Sequence, residues 1–208
     1  MVSEVRIYLE GGGDSKDTKA AIRRGFSKFL GPLRDQAREQ RLGWRIVACG
    51  PRSAAFDGFL TALKIHPDAF NVLLVDAEGP VDSTLTRWEH LRSRDGWDTP
   101  PLADEHCHLI VQMVEAWFVA DLDALRAFYG QGFHENAIPK DRDVEKLDRK
   151  TLESGLKRAT RHTTKGPYHK IHHAAKLLES LNSQTVRSKA PHCDRLFETL
   201  ARTMEPPA

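Results

Sequence analysis

The chain has 208 residues, of which 40% are hydrophobic and 29% charged, a length and balance that suit one globular domain or a domain with an appended subdomain. No apolar run approaches the roughly 20 residues that a membrane helix needs, and the start has no basic segment followed by an apolar one, so neither a spanning helix nor a signal peptide is expected. Net charge is +2, but Lys140–Lys189 holds thirteen Lys or Arg against six Asp or Glu, an excess of seven that leaves −5 on the remainder, as expected when one region holds a metal ion and another meets a polyanion.

In chain order, Val5–Leu9 is rich in strand formers and runs into Glu10-Gly-Gly-Gly-Asp-Ser-Lys16, predicting a strand, a glycine loop and a helix. Asp14, Ser15 or Asp17 can cap that helix, whose apolar positions Ala21, Ile22, Phe26, Phe29 and Leu30 follow a helical period. Gly31-Pro32 interrupts it, and a more polar helical stretch follows from Leu33 to Gln40. Trp44–Cys49 predicts a second strand closed by Gly50-Pro51, and Ser53–Ile65 a helix with Phe56, Phe59, Leu60 and Leu63 on one face. Val72–Val75 is a short apolar run, β-branched at both ends, that stops at Asp76-Ala-Glu78-Gly-Pro80 and reads as a buried strand. A helix around Leu85–Arg92, a loop at Gly96–Pro101, a strand over His106–Val114 and a helix from Glu115 through Phe128 complete the alternation. Alternating strands and helices predict an α/β fold with a mostly parallel sheet flanked by helices. After Tyr129-Gly130 the strand signal ends, and Leu152–Ala159, Tyr168–Leu181 and Asp194–Met204 predict helices. The division is therefore an α/β domain over residues 1–130 and a basic helical C-terminal extension over 131–208.

The acids at the strand ends carry the functional reading. Asp76 and Glu78, two residues apart, point to one side if the chain stays extended, and two like charges at the mouth of an apolar strand need a cation or a basic partner. The bland alternative is an acidic turn with both carboxylates in water. Glu10 follows the first strand and Glu115 the fourth, and parallel strands bring such ends to one edge, where open α/β sheets bind their ligands. Oxygen-only ligands favour Mg²⁺ or Mn²⁺ over zinc. The loop Gly11–Lys16 fits neither a Walker spacing nor the dinucleotide fingerprint. What remains is a turn whose Gly12 and Gly13 allow close approach of a phosphate, with Lys16 as an anion contact, or a plain helix-capping turn.

Glu10-Gly after the first strand and Asp76-Ala-Glu78-Gly after the central one resemble the Toprim domain of topoisomerases, primases and overcoming-lysogenization-defect nucleases. More fully, Tyr8-Leu-Glu-Gly-Gly-Gly-Asp-Ser-Lys16, Val75–Pro80, Glu115-Ala-Trp-Phe-Val-Ala-Asp121 and Lys165-Gly-Pro-Tyr-His-Lys170 resemble family 4276 of the domains of unknown function, itself Toprim-like. The departure from the commonest Toprim form is Glu78 where Asp is usual. The resemblance implies magnesium-dependent phosphodiester chemistry, with Glu10 as general acid/base or second-metal ligand and Asp76 and Glu78 as metal ligands. It also implies service in prokaryotic defence beside an ATPase partner.

The C-terminal region adds a candidate nucleic-acid surface. Between Thr151 and Lys176 the only acid is Glu153, against Lys157, Arg158, Arg161, Lys165, Lys170 and Lys176, with His169 and its neighbouring histidines protonatable and Tyr168 offering a ring for stacking. A solvated helix face is the ordinary alternative. Lys165 or Lys170 can stabilise transition-state charge if the tail folds over the sheet edge. His169 and His173, one turn apart, permit zinc but lack the accompanying motif. Cys49, Cys107 and Cys193 are scattered and suit reduced thiols in a cytoplasmic protein, with Cys107 more simply a core thiol than a nucleophile. Trp88, Trp97 and Trp117 read as core and loop anchors. The expected protein is a Mg²⁺-dependent nuclease acting on DNA or RNA; the competing expectation is a non-catalytic subunit of the same fold that binds an ATPase.

Overall fold

Four strands, β1 (Glu4–Glu10), β2 (Gly43–Gly50), β3 (Ala69–Asp76) and β4 (Cys107–Ile110), form an all-parallel sheet in the order β2-β1-β3-β4 in the computed structural model, which describes residues 2–205. The inner strands are apolar on both sides because both sides are covered: Val5, Ile7, Leu9, Val72 and Leu74 face one layer, and Tyr8, Leu73 and Val75 the other. The second layer is built by α3 (Arg52–Ile65), between β2 and β3, and α4 (Arg87–Asp95), between β3 and β4. Their Phe56, Phe59, Trp88 and Leu91 pack on Tyr8, Leu73 and Leu109.

On the opposite face, α1 (Lys16–Phe29) and α2 (Gly31–Glu39) connect β1 to β2. Ser15 caps α1 by accepting from the Thr18 N–H at 3.1 Å, and Thr86 forms a reciprocal capping box with Glu89 at the start of α4. The chain from Glu115 onward is helical: α5 (Glu115–Ala120), α6 (Leu122–Tyr129), α7 (Arg149–Thr160), α8 (Lys170–Ser180), α9 (Ser183–Arg187) and α10 (Pro191–Thr203), with 3-10 turns between. These helices share the core of α1. Phe29 stacks on Trp117 of α5 with ring centroids 4.8 Å apart and meets Phe197 of α10 edge-on at 5.7 Å, so one apolar cluster runs from Val5 to Met204 across residue 130.

The predicted α/β class holds, with helices alone after Tyr129, and the arrangement is consistent with a Toprim-like fold. The helix predicted from Glu115 through Phe128 is broken at Asp121, α9 has no predicted counterpart, and two further boundary differences bear on the site. The fourth strand, predicted over His106–Val114, pairs only at Cys107–Ile110, because the backbone N–H groups of Ala77 and Glu78 take the Ile110 and Gln112 carbonyls at 2.8 Å and the chain then turns into α5. The helix predicted from Tyr168 begins at Lys170, because the Thr160 hydroxyl already holds the Tyr168 N–H at 2.7 Å. No helix among the described residues is long and apolar enough to cross a membrane.

What this topology contributes is a crevice. The connection leaving β1 crosses one face, and the connection entering β3 crosses the other, so the carboxyl ends of these adjacent strands open between the two layers.

Candidate functional site

The last residue of β1 is Glu10 and the last of β3 is Asp76, which places both at that crevice, and Glu115 enters from the first residue of α5. Asp76 is 6% and Glu115 only 1% exposed, an unusual depth for two acids. Lys170, the first residue of α8, reaches down between them: its Nζ lies 3.5 Å from Asp76 Oδ2 and 3.9 Å from Glu115 Oε2, while its side chain stays 53% exposed. Tyr168 donates to Glu115 Oε1 at 2.7 Å and is itself buried. The turn between α7 and α8 sets both residues, since the Thr160 hydroxyl accepts from the Tyr168 N–H and the Thr163 hydroxyl donates to the Thr160 carbonyl at 2.9 Å.

Electrostatics follow from this burial. Desolvation pushes Asp76 up to about 7, Glu10 and Glu115 push in the same direction, and Lys170 opposes them. Burial alone would lower Lys170, but Asp76, Glu115 and Glu10 outweigh it and hold the ammonium above lysine's ordinary value. Burial, reinforced by Glu115, keeps Tyr168 protonated far above the ordinary phenol range, so it serves as a permanent donor.

Arg52 organises the other side. Its guanidinium donates to both Asp95 oxygens at 3.0 and 2.8 Å, to Glu10 Oε2 at 3.1 Å and to the Asp76 carbonyl oxygen, and it lies over the Trp97 ring at 5.2 Å. Trp97 in turn stacks on Phe56 at 4.2 Å. Glu10 is therefore held by a fork that is fixed by packing beneath it.

The remaining candidates are distributed around this centre. Glu78 is turned by a φ of +64°, which breaks the extended geometry the two-residue spacing assumed, and it pairs with Arg149 of α7 and, at 3.9 Å, with Arg94 of α4. Lys165 stands over the Phe128 ring at 5.1 Å, and Arg158 reaches Ser154 Oγ at 3.4 Å. Arg161 and His169 are exposed on the segment that delivers Lys170. Gly12 and Gly13 both have positive φ, and Lys16 is exposed at the start of α1. The loop is closed by the Gly11 N–H to the Gly50 carbonyl at 2.8 Å and by the Thr18 hydroxyl to the Gly12 carbonyl. A Cβ on Gly12 would lie 2.7 Å from Lys19 Cα in a backbone conformation that L residues avoid, so Gly12→Ala is expected to cost about 2 kcal/mol, read as a lower urea midpoint with an unchanged slope.

The other motifs are structural. His108 is fully buried, its Nε2–H bonded to the Glu105 carbonyl at 3.1 Å and its Nδ1 facing Arg195 at 3.2 Å; burial first, then Arg195, depress it to about 3, so it stays neutral. Cys107 is buried and its thiol is pushed up by desolvation, opposite to what a nucleophile needs. His173 Nδ1 accepts from Tyr129 and from the His169 N–H rather than standing open.

Among the described residues, no three His, Cys, Asp or Glu side chains are gathered into ligating position as they stand, and the Lys170 ammonium lies between Asp76 and Glu115. The donors nonetheless fit a hard cation: Glu115 Oε2 is buried without a hydrogen-bond partner, and Glu10, Asp76 and Glu115 offer only oxygen. Arg52, Thr160 and Arg149 carry no motif that marks them as site residues, and Tyr168 is legible only as a stacking ring; the Gly50-Pro51 strand stop immediately before Arg52 is the one local signal that a side chain there sits at the sheet's working edge.

A family model described as a domain of unknown function (DUF4276) matches residues 9–201. No curated protein and no solved structure matches the chain.

Proposed function

Because the chain belongs to the DUF4276 family, whose description assigns no activity, its chemistry has to be argued from its own residues, and we propose that it is a Mg²⁺- or Mn²⁺-dependent nuclease hydrolysing phosphodiesters of DNA or RNA. The observation that carries this reading is the pair of buried acids, Asp76 and Glu115, bridged by the Lys170 ammonium at the crevice where β1 and β3 end. Asp76 and Glu115 would hold a divalent ion, which would supply polarisation of the phosphoryl oxygen and a lowered pKa for attacking water.

The chain's own groups account for the rest. Lys170 is half exposed, so its ammonium can turn from the acids to a phosphate oxygen and offset charge as it develops. Glu10, gripped by Arg52 at the rim, is the group positioned to take or give a proton. Tyr168 fixes the rotamer of Glu115, and the exposed Arg158, Arg161, Lys165 and His169 offer contacts to the flanking backbone. By its Toprim resemblance, the nuclease is an effector of a prokaryotic defence system working with an ATPase.

The test is cleavage of end-labelled single-stranded DNA, duplex DNA and RNA in Mg²⁺ and in EDTA. Wild type is expected to cut in Mg²⁺ alone, and Glu10→Gln to slow cutting by about 100-fold with an unchanged circular dichroism spectrum. A second reading is favoured by the same lysine: Lys170 already neutralises the acids without an ion, as a non-catalytic partner of an ATPase would need. Wild type that cuts nothing, or Glu10→Gln that cuts as fast, decides for it.

A further inference from the structure

The sheet has one open side. β2 ends the strand order, so alternate N–H and C=O groups of Trp44–Cys49 point away from β1, and among the described residues no backbone hydrogen bond outside the sheet reaches them. It is also the least covered strand: Trp44, Val47, Ala48 and Cys49 are only half-buried and Arg45 is exposed, whereas β3 is buried from Asn71 through Asp76. Such an edge is a template for another strand unless something blunts it.

Beside this edge, α1 and β2 enclose a groove of about 860 Å³ with Trp44, Ile46 and Ala48 as its apolar floor. Its walls carry Lys16, Lys19, Arg23, Arg34 and Arg45 against one acid, Asp17. Arg34 and Arg45 pair with Asp35 and Glu4, while Lys16, Lys19 and Arg23 make no ion pair among the described residues. Trp44, which lines the same groove, has its indole N–H buried without a partner.

We infer that this groove docks an extended acidic segment of another protein, which adds a fifth strand to β2. The unpaired backbone row selects a polypeptide over a nucleic acid, because only a strand satisfies alternate donors and acceptors in register. The cationic walls select an acidic one, with small apolar side chains alternating onto the Trp44–Ala48 floor. They also disfavour a second copy of this chain, since edge-to-edge pairing would set Arg45 and its neighbours against themselves. An eight-residue strand matches a docked segment of six to eight residues, about 20–26 Å long at the usual rise. The inference is independent of the nuclease reading, because none of the crevice carboxylates lines the groove.

The probe is a fluorescein-labelled, end-blocked peptide alternating Glu with Val over eight residues, compared with its Lys-for-Glu counterpart and with a labelled single-stranded oligonucleotide. Binding is followed by anisotropy, and amide hydrogen exchange is measured on the full chain. The acidic peptide is expected to bind at least tenfold more tightly than the basic one, to weaken with salt, and to slow exchange within Trp44–Cys49. The exposed double variant Lys16→Glu, Arg23→Glu is expected to lose at least tenfold in affinity with an unchanged melting curve. Equal affinity for both peptides, no protection of the β2 amides, or an oligonucleotide alone competing for Lys16 and Arg23 overturns the inference, the last assigning the groove to nucleic acid.

Discussion

Arg52→Met is expected to lower stability by about 3 kcal/mol and to depress cleavage as well. The Arg52 side chain is 14% exposed and serves Asp95, Glu10 and the Asp76 carbonyl together. Truncating one member of a buried ion pair strands the other, an effect of roughly 3–5 kcal/mol in protein interiors. The lower end applies, because Arg94 still faces Asp95 and the Glu10 side chain is 23% exposed. For a chain of this length that corresponds to a melting temperature lower by about 6–12 °C. Lysine will not rescue: a single ammonium cannot span both Asp95 oxygens and Glu10, nor lie flat over Trp97. A loss below 1 kcal/mol in urea unfolding, or full recovery in Arg52→Lys, would show that Glu10 is held by something else.

The contrast between Arg52 and the acids explains what could be seen in the sequence. Glu10 closes a stretch rich in strand formers, Asp76 a short apolar run that reads as a buried strand, and Glu115 opens an apolar helix just after the fourth strand, so their common edge follows from parallel pairing. Arg52 follows a strand stop at the start of α3, and its importance depends on where α4 brings Asp95, a relation between elements that no local pattern encodes. Glu78 departs from the extended geometry for a local reason: an i, i+2 spacing puts two side chains on one side only while the backbone stays extended, and a φ of +64° ends that at Glu78 itself.

The basic tail was legible as charge but not as geometry. Its helices use Leu152, Leu156, Ala174, Leu177 and Leu178 to complete the core over the sheet, while the turn from Thr160 to Lys170 and Arg149 at the start of α7 direct polar groups toward the crevice acids. Tyr168, expected to stack, is instead buried as the donor to Glu115, because the Thr160 hydroxyl draws its backbone inward. Lys165, expected near the carboxylates, is held over Phe128.

Asp76→Asn should separate function from folding most sharply, abolishing cleavage by at least about a thousandfold while making the metal-free protein more stable at alkaline pH. The folded-state value of Asp76 is about 7 against an ordinary 3.8, so as pH rises the unfolded chain gives up this proton first. The native state therefore loses ground between about pH 4 and 7 and recovers none of it above. At about 1.4 kcal/mol per pH unit, a shift of this size corresponds to roughly 4 kcal/mol, part of which is offset because Lys170, whose ammonium Asp76 helps to hold, loses its charged partner. Asparagine removes the buried charge at nearly the same volume, so a gain of roughly 1–3 kcal/mol is expected at pH 8.5 in EDTA, falling toward zero at pH 4. Divalent metal should reverse the order at pH 8.5, stabilising wild type by mass action and leaving the variant unmoved. Urea melts at the two pH values, with and without Mn²⁺, read all of this without an activity assay. A variant less stable than wild type in EDTA at pH 8.5 would mean that Lys170 and Tyr168 make the ionised acids a net source of stability, and that the crevice needs no ion to be tolerated.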